Sequence, residues 1–320
     1  MSESVWVGVD IGGTKTAVVV SVVPPDVAGR IEFATRPADG PEPALRQIRD
    51  GIRGLVAQAG AAGIRAIGVS CGSPQDRVTG VIQAPPNLPT WVDVPIVSML
   101  ADEFRVPCRL ENDANAGAVA EHRFGAGRGV QNMIFLTMGT GLGGGIIADG
   151  RLVHGATDSA GEIGHVRLTA RGPVGYHKAG SVEGWASGGG IAQVAGKMVR
   201  AEVARGRATV LSHLLENNGS ISARDLAEAA QQGDAVARRI LASTGKRLGE
   251  ALAILVDIVN PERIVIGGIA MRLGDLILNP ARRVLRREAL PHAAAACEVV
   301  PACLGERIGD IAALCVALGF

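Results

Sequence analysis

Two glycine-rich segments carry the residue types of a phosphate cradle: Asp10-Ile11-Gly12-Gly13-Thr14-Lys15, and Met138-Gly139-Thr140-Gly141-Leu142-Gly143-Gly144-Gly145. Glycine lets the backbone approach a ligand closely, so successive N–H groups can point at phosphate oxygens, and the Thr14 and Thr140 hydroxyls add donors. Neither segment ends in the Gly-Lys-Ser/Thr of a P-loop, and neither leads from a strand into a helix as a dinucleotide fingerprint does. Each taken alone is also compatible with a plain hairpin; the pair, with an acid before the first, argues for a bound nucleotide. Asp10 suits a Mg²⁺ ion held through water, because Mg²⁺ keeps several waters and takes only one or two carboxylates. The same aspartate would also serve simply to cap its turn.

Phosphoryl transfer to an alcohol needs a cradle with a metal, a base for the hydroxyl proton and a pocket that fixes the acceptor in line. Asp113, after Asn112 at a strand-to-helix corner, stands where a general base is wanted; a helix N-cap is the competing role for an aspartate there. Glu162, His165, His177 and Glu183 lie in a glycine-dense stretch from Gly155 to Gly190 that offers little to a core. Carboxylates and an imidazole there can bridge sugar hydroxyls. A metal site is the alternative, although the soft ligands and tight spacing of a structural zinc centre are missing.

The elements that must position these residues follow from the hydrophobic pattern. Apolar, β-branched runs flank both turns, at Val5 to Val9, Ala17 to Val23, Met133 to Thr137 and Ile146 to Ala148, which predicts a strand–turn–strand unit used twice. Helices are predicted around Ala44 to Gln58, Ala114 to His122, Asp234 to Val259 and Ile308 to Leu318, with a capping box opening another at Ser222. Strands are predicted at Ile64 to Ser70, Cys108 to Asp113 and Arg263 to Gly268. Between them runs a long Gly/Pro-rich loop, from Gly72 through Asn87 to Trp91, of the kind that is usually functional. Frequent alternation of strand and helix favours an α/β architecture.

With 320 residues and 47% hydrophobic content, the chain can build one large or two medium domains. The net charge of +1, the 3% aromatic content and the absence of a basic stripe exclude nucleic acid as an expected partner. The basic run Arg282 to Arg287 reads as one solvated helix face. No apolar stretch approaches the roughly 20 residues of a membrane helix, and Asp10 and Lys15 interrupt the first apolar run, so no membrane partner and a cytoplasmic location are expected. Five scattered cysteines argue for reduced thiols.

These motifs together resemble the ROK sugar kinases, which share the actin-like ATPase (ribonuclease H-like) fold, and the resemblance runs from Val7 to about Gly319. Asp10 to Lys15 and Thr137 to Gly145 resemble its two phosphate motifs, implying nucleotide contacts from Gly12, Gly13, Thr14, Lys15, Gly139, Thr140, Gly141 and Gly143. Asn260-Pro261-Glu262 through Gly267-Gly268 resembles the adenosine-side motif. Glu111-Asn112-Asp113-Ala114-Asn115-Ala116 resembles the catalytic segment, with Asp113 as the base for the sugar 6-hydroxyl. Ala160-Gly161-Glu162-Ile163-Gly164-His165 resembles the family signature. Sugar contacts are thereby implied for Gly72, Asn87, Asn112, Asp113, Glu162, His165 and Glu183. Two departures stand out. Val174, Tyr176 and Ser181 occupy the positions of three cysteines that bind zinc with the signature histidine, so no structural zinc is expected. Gly72-Ser73-Pro74 replaces a common Pro-Gly-Pro in the segment lining the sugar pocket.

The resemblance implies two α/β lobes around a central cleft. Residues 1–116 with a returning helix at 305–320 would form one lobe and 117–304 the larger one. The implied activity is ATP- and Mg²⁺-dependent phosphorylation of a hexose, with glucose first and an N-acetylhexosamine, mannose, fructose or allose next. A polyphosphate donor or a catalytically silent sugar-binding regulator is the alternative, and a homodimer is implied. A repressor of the DNA-binding branch is disfavoured, because the first phosphate motif begins at residue 10.

Overall fold

The computed structural model of the protein describes residues 3–207 and 209–320. In chain order the first elements are β1 (Val5–Ile11), β2 (Lys15–Ser21), β3 (Gly29–Ala34), α1 (Glu42–Gln58), β4 (Ile64–Cys71), a short hairpin of β5 (Gln75–Asp76) and β6 (Val81–Ile82), α2 (Ile96–Phe104), β7 (Cys108–Asn112) and α3 (Asp113–Phe124). There follow β8 (Met133–Met138), β9 (Leu142–Ala148), β10 (Arg151–Leu152), β11 (Val174–Gly175), β12 (Lys178–Ala179), α4 (Val182–Ala186) and α5 (Gly188–Val203). The last are α6 (Leu211–Asn218), α7 (Ala223–Gln231), α8 (Ala235–Val259), β13 (Arg263–Gly268), α9 (Ile269–Leu273), α10 (Asp275–Glu288), α11 (Pro291–Ala296), β14 (Glu298–Pro301) and α12 (Ile308–Leu318).

These elements form two compact units. One comprises residues 1–128, 151–160 and 304–320, and the other residues 129–150 and 161–303. The first unit holds a five-stranded sheet in the order β3-β2-β1-β4-β7, with β1 and β3 antiparallel to β2, and β4 parallel to both β1 and β7. Strand alternation divides the residues of β1: Val5, Val7, Val9 and Ile11 join a core with Leu45, Ile48 and Ile52 of α1, whereas Gly8 faces α12. A side-chain carbon on Gly8 would lie 3.0 Å from the backbone nitrogen of Leu314, and one on Gly68 of β4 would collide with Ala313 and Ala317. The two glycines let α12 lie directly on the central strands.

The loop expected from Gly72 to Trp91 is tied to this core. It contains the β5–β6 hairpin, and Ile82, Leu88 and Trp91 are fully buried.

In the second unit β9, β8, β13 and β14 are successive neighbours, with β9 antiparallel to β8 and the other pairs parallel. The hairpin followed by parallel crossovers thus occurs in both units. Helix α8 runs through the core of the second unit, opened by an Asp234 cap on the N–H groups of Val236 and Ala237 and ended by Asn260 in the left-handed conformation. Gly245 and Gly249 let it approach the backbone of α10 at Ile277 and Ala281.

Candidate active site

Strand β1 delivers Asp10 on the α12 face of its sheet, in register with Ala17 of β2 and Ser70 of β4. Gly309, in the first turn of α12, lies so close to the Asp10 carboxylate that a side-chain carbon would strike it. Burial, and next the charge of Asp113, push the Asp10 carboxyl up to about 6, with Ser70 and Lys15 opposing. Past Ile11 the chain turns through Gly12, Gly13 and Thr14, closed by the Gly12 N–H donating to the Lys15 carbonyl at 2.9 Å. Thr35 pins the turn from β3's end: its hydroxyl donates to the Gly12 carbonyl at 2.7 Å and its N–H to the Thr14 carbonyl at 3.1 Å. Asn87 fills the space beside Gly13, where a side-chain carbon would sit 2.7 Å from the Asn87 carbonyl oxygen, and its amide also neighbours Gly72. The fold therefore brings the first turn, Gly72 and Asn87 together. Lys15 is engaged elsewhere, in an ion pair with Glu32 at 3.0 Å.

At the β7–α3 corner Asn112 is the N-cap. Its Oδ1 accepts from Ala114 N–H at 2.9 Å and Asn115 N–H at 3.1 Å, while its Nδ2 donates to Ser73 Oγ at 2.8 Å. Asp113 is the first helical residue, so the cap role that competed for it belongs to its neighbour. Burial pushes the Asp113 carboxyl upward, against hydrogen bonds from the Ala114 N–H and its own N–H. The Asp113 charge that helps raise Asp10 puts the two carboxylates in one electrostatic site.

The second unit assembles the other predicted residues. The turn from Gly139 to Gly141 joins β8 to β9, with the Gly139 N–H donating to the Gly141 carbonyl at 2.9 Å and Gly143 opposite Thr137. Carbonyls of the turn face α5: Gly139 O accepts from Gly188 N–H at 2.9 Å and Thr140 O from Gly189 N–H at 3.5 Å. Glu183, in the first turn of α4, accepts the Leu142 N–H on Oε2 at 3.0 Å and lies against Gly141. Gly161, with φ of +90°, and Gly164 bring the segment bearing Glu162 and His165 onto β9, where side-chain carbons would strike the carbonyls of Gly144 and Leu142. Gly267 and Gly268 stand in register with Thr137 and Met138, beside the same turn. Gly268, at φ +70°, abuts the Met138 carbonyl, a conformation and an approach that exclude a side chain.

The sequence model of the ROK family matches residues 6–319. The chain belongs to the ROK family. It is 34% identical over 315 residues to a glucokinase from Halalkalibacterium halodurans, covering 97% of this chain and 94% of that one. Among solved structures it resembles a ROK hexokinase from Thermus thermophilus, with a TM-score of 0.79, 30% identity and 98% of each chain covered. It also resembles a ROK family glucokinase from Streptomyces griseus in complex with glucose and AMPPNP, with a TM-score of 0.77 and 32% identity over 98% of this chain and 99% of that one. The fold is the actin-like ATPase fold of the ROK sugar kinases.

Where ROK proteins commonly carry the three cysteines, this one has an exposed Val174, an exposed Tyr176 and a buried Ser181. Ser181 caps α4 by accepting the Gly184 N–H at 3.1 Å and donates to the Lys178 carbonyl at the same distance. Tyr176 and His177 form the β11–β12 turn with φ of 39° and 63°, and the Tyr176 ring meets the His165 ring edge-on at 6.0 Å. Lys178 Nζ donates to the His165 carbonyl at 2.8 Å. Two further residues escaped sequence reasoning. Glu111, buried before the cap, accepts from Asn112 N–H at 2.9 Å and Asn115 Nδ2 at 3.0 Å on Oε1, and meets His154 Nε2 at 2.9 Å on Oε2. A charged residue in the buried register of an edge strand was the one available signal.

Proposed function

We propose that this chain is an ATP-dependent sugar kinase that phosphorylates glucose at its 6-hydroxyl. The observation that carries the reading is the pair of carboxylates, Asp10 beside the first glycine turn and Asp113 at the head of α3, close enough for one charge to raise the pKa of the other. Asp113 accepts the proton of the attacking hydroxyl. Burial raises its pKa, which makes it a stronger base than an ordinary aspartate. Asn112 keeps that carboxylate in place by capping the helix that bears it. Glu162, His165 and Glu183 bind the sugar hydroxyls, Glu183 with the oxygen not engaged by the Leu142 N–H, and Gly72 and Asn87 line the same sugar.

The N–H groups and hydroxyls of Gly12 to Thr14 and Gly139 to Gly143 hold the phosphates, and Gly267 and Gly268 admit the adenosine. Lys15 joins them by exchanging its Glu32 partner. Asp10 fits Mg²⁺: it is a hard oxygen donor repelled by a second carboxylate, and a divalent cation relieves both charges. When bound, Mg²⁺ neutralises charge on the transferred phosphoryl group. The same reading carries a homodimer in the cytoplasm; among the described residues no helix is long and apolar enough to cross a membrane.

The test is ADP release from ATP and Mg²⁺ with glucose, N-acetylglucosamine, N-acetylmannosamine, mannose, fructose, allose and a no-sugar blank, with polyphosphate as a second donor. Glucose-dependent ADP above every other arm is expected. Sugar binding without ADP in any arm would make the protein a sensor and overturn the kinase reading.

A further inference from the structure

The first unit contains a cavity of about 710 Å³ that no step of phosphoryl transfer uses. It opens along the edge strand β7, with Leu110 and Val316 on its apolar wall and Arg77, Arg109, Arg123 and His154 on its polar one. The charges around it do not balance. Arg77 is paired with Asp158 at 3.2 Å. Arg109 gives only Nη1 to a neutral partner, the Ala317 carbonyl, at 2.9 Å. Arg123 forms no ion pair with any carboxylate among the described residues. Glu111, the side-chain carboxylate in the wall, is already spent on His154, Asn112 and Asn115.

Two guanidinium groups without carboxylates at one cavity make an anion site, and their planar forks match phosphate oxygens. The volume lies within the range of small-molecule sites and far exceeds the roughly 30 Å³ that one water occupies, so the ligand has a body beyond its anionic group. We propose that this cavity binds a phosphate monoester of a small polyol, as a regulatory site separate from the glycine turns. Arg109 and Arg123 take the phosphate, and His154 takes a hydroxyl.

The cavity is wired to the helix that carries Asp113. Its wall residue Glu111 hydrogen-bonds the N–H of Asn112, whose side chain caps α3, and Arg123 lies in the last turn of that helix. A ligand that draws His154 away from Glu111 loosens the cap and displaces Asp113, so occupancy lowers turnover.

The test is calorimetry with glucose 6-phosphate, glucose 1-phosphate and inorganic phosphate as probes, on protein saturated with glucose and AMPPNP so that the glycine turns are filled. A sugar phosphate is expected to bind with one site per chain, at least tenfold tighter than inorganic phosphate. Affinity should fall tenfold or more in Arg109→Gln/Arg123→Gln and hold in the control Arg282→Gln. Turnover measured in parallel should fall about fivefold at saturation with the probe, non-competitively with both substrates, and this inhibition should vanish in the double variant. Absence of binding with the turns filled, equal affinity for inorganic phosphate, or an unchanged double variant would overturn the site. Binding with no effect on turnover would overturn the coupling. Binding is read as heat, so it stands or falls independently of which sugar is phosphorylated.

Discussion

At the residue scale, Asp10 and Asp113 are two acids of the same type whose surroundings push both carboxyls upward, and the direction of those shifts fixes their pH behaviour. Asp10 rises from an ordinary 3.8 to about 6. Across that window the folded chain binds more protons at this site than the unfolded chain does, so stability falls as pH rises from about 4 to about 6 and stays lower above it. Asp10→Asn removes the buried charge. In metal-free buffer its melting temperature should exceed that of wild type at pH 7.5, with the gap closing by pH 4, the gain being at most about 3 kcal/mol. Added Mg²⁺ should then raise the wild-type midpoint and leave Asp10→Asn unmoved; equal responses would separate Asp10 from the metal. Asp113→Asn should lower kcat by about 10²–10⁴-fold while the glucose Kd, read by calorimetry, changes little. Turnover near wild type in that variant would remove Asp113 as the base.

At the element scale, the position of Asp10 depends on how closely α12 lies on β1 and β4. Gly68 is the contact that permits it, and Gly68→Ala would press a methyl group into the backbone at Ala313 and Ala317. A loss of about 1–3 kcal/mol is expected, measured by urea unfolding. Gly54 offers the contrast: it is exposed inside α1 with nothing within 4 Å of a new side-chain carbon, so Gly54→Ala should stabilise by up to about 1 kcal/mol. The contrast shows what the sequence could disclose. Helix α8, the Ser222–Asp225 capping box and the paired glycine turns were legible because caps, periodicity and turn chemistry are local signals. The role of Gly8, Gly68 and Gly309 was not, because it arises where residues near the two ends of the chain meet. A cap at this corner was legible only as a competing role for Asp113; it belongs to Asn112, and since Asn and Asp are near-equal caps only backbone geometry separates them. His154 was invisible for the reason that applied to α12: its partner Glu111 lies 43 positions away in sequence.

At the scale of the whole molecule, a chain of this size has to hold Glu183 and His165 in place through a hairpin that relatives commonly fasten with zinc. Here that hairpin is fastened by the surrounding polypeptide. Gln193 of α5 clamps Val174 from both sides, accepting its N–H at 2.9 Å and donating to its carbonyl at 2.8 Å, and the Gly180 N–H reaches the Pro173 carbonyl at 2.8 Å. Behind it Trp185 donates to Thr169 Oγ1 at 2.8 Å, with the Arg247 guanidinium 4.8 Å above its ring. Each net hydrogen bond is worth about 1 kcal/mol, and the cation–π contact adds about 0.5–2 kcal/mol, so the cluster can replace a metal tether without a metal's sensitivity to chelation. Dialysis of protein in Mg²⁺-free buffer against EDTA should therefore leave the melting temperature unchanged; EDTA in the assay should abolish turnover, and Mg²⁺ alone should restore it. Gln193→Ala should raise the sugar KM several-fold with little change in kcat, because it loosens the loop that bears the binding residues and leaves Asp113 untouched. A midpoint that drops on chelation and recovers only with zinc would show that the hairpin is metal-held after all.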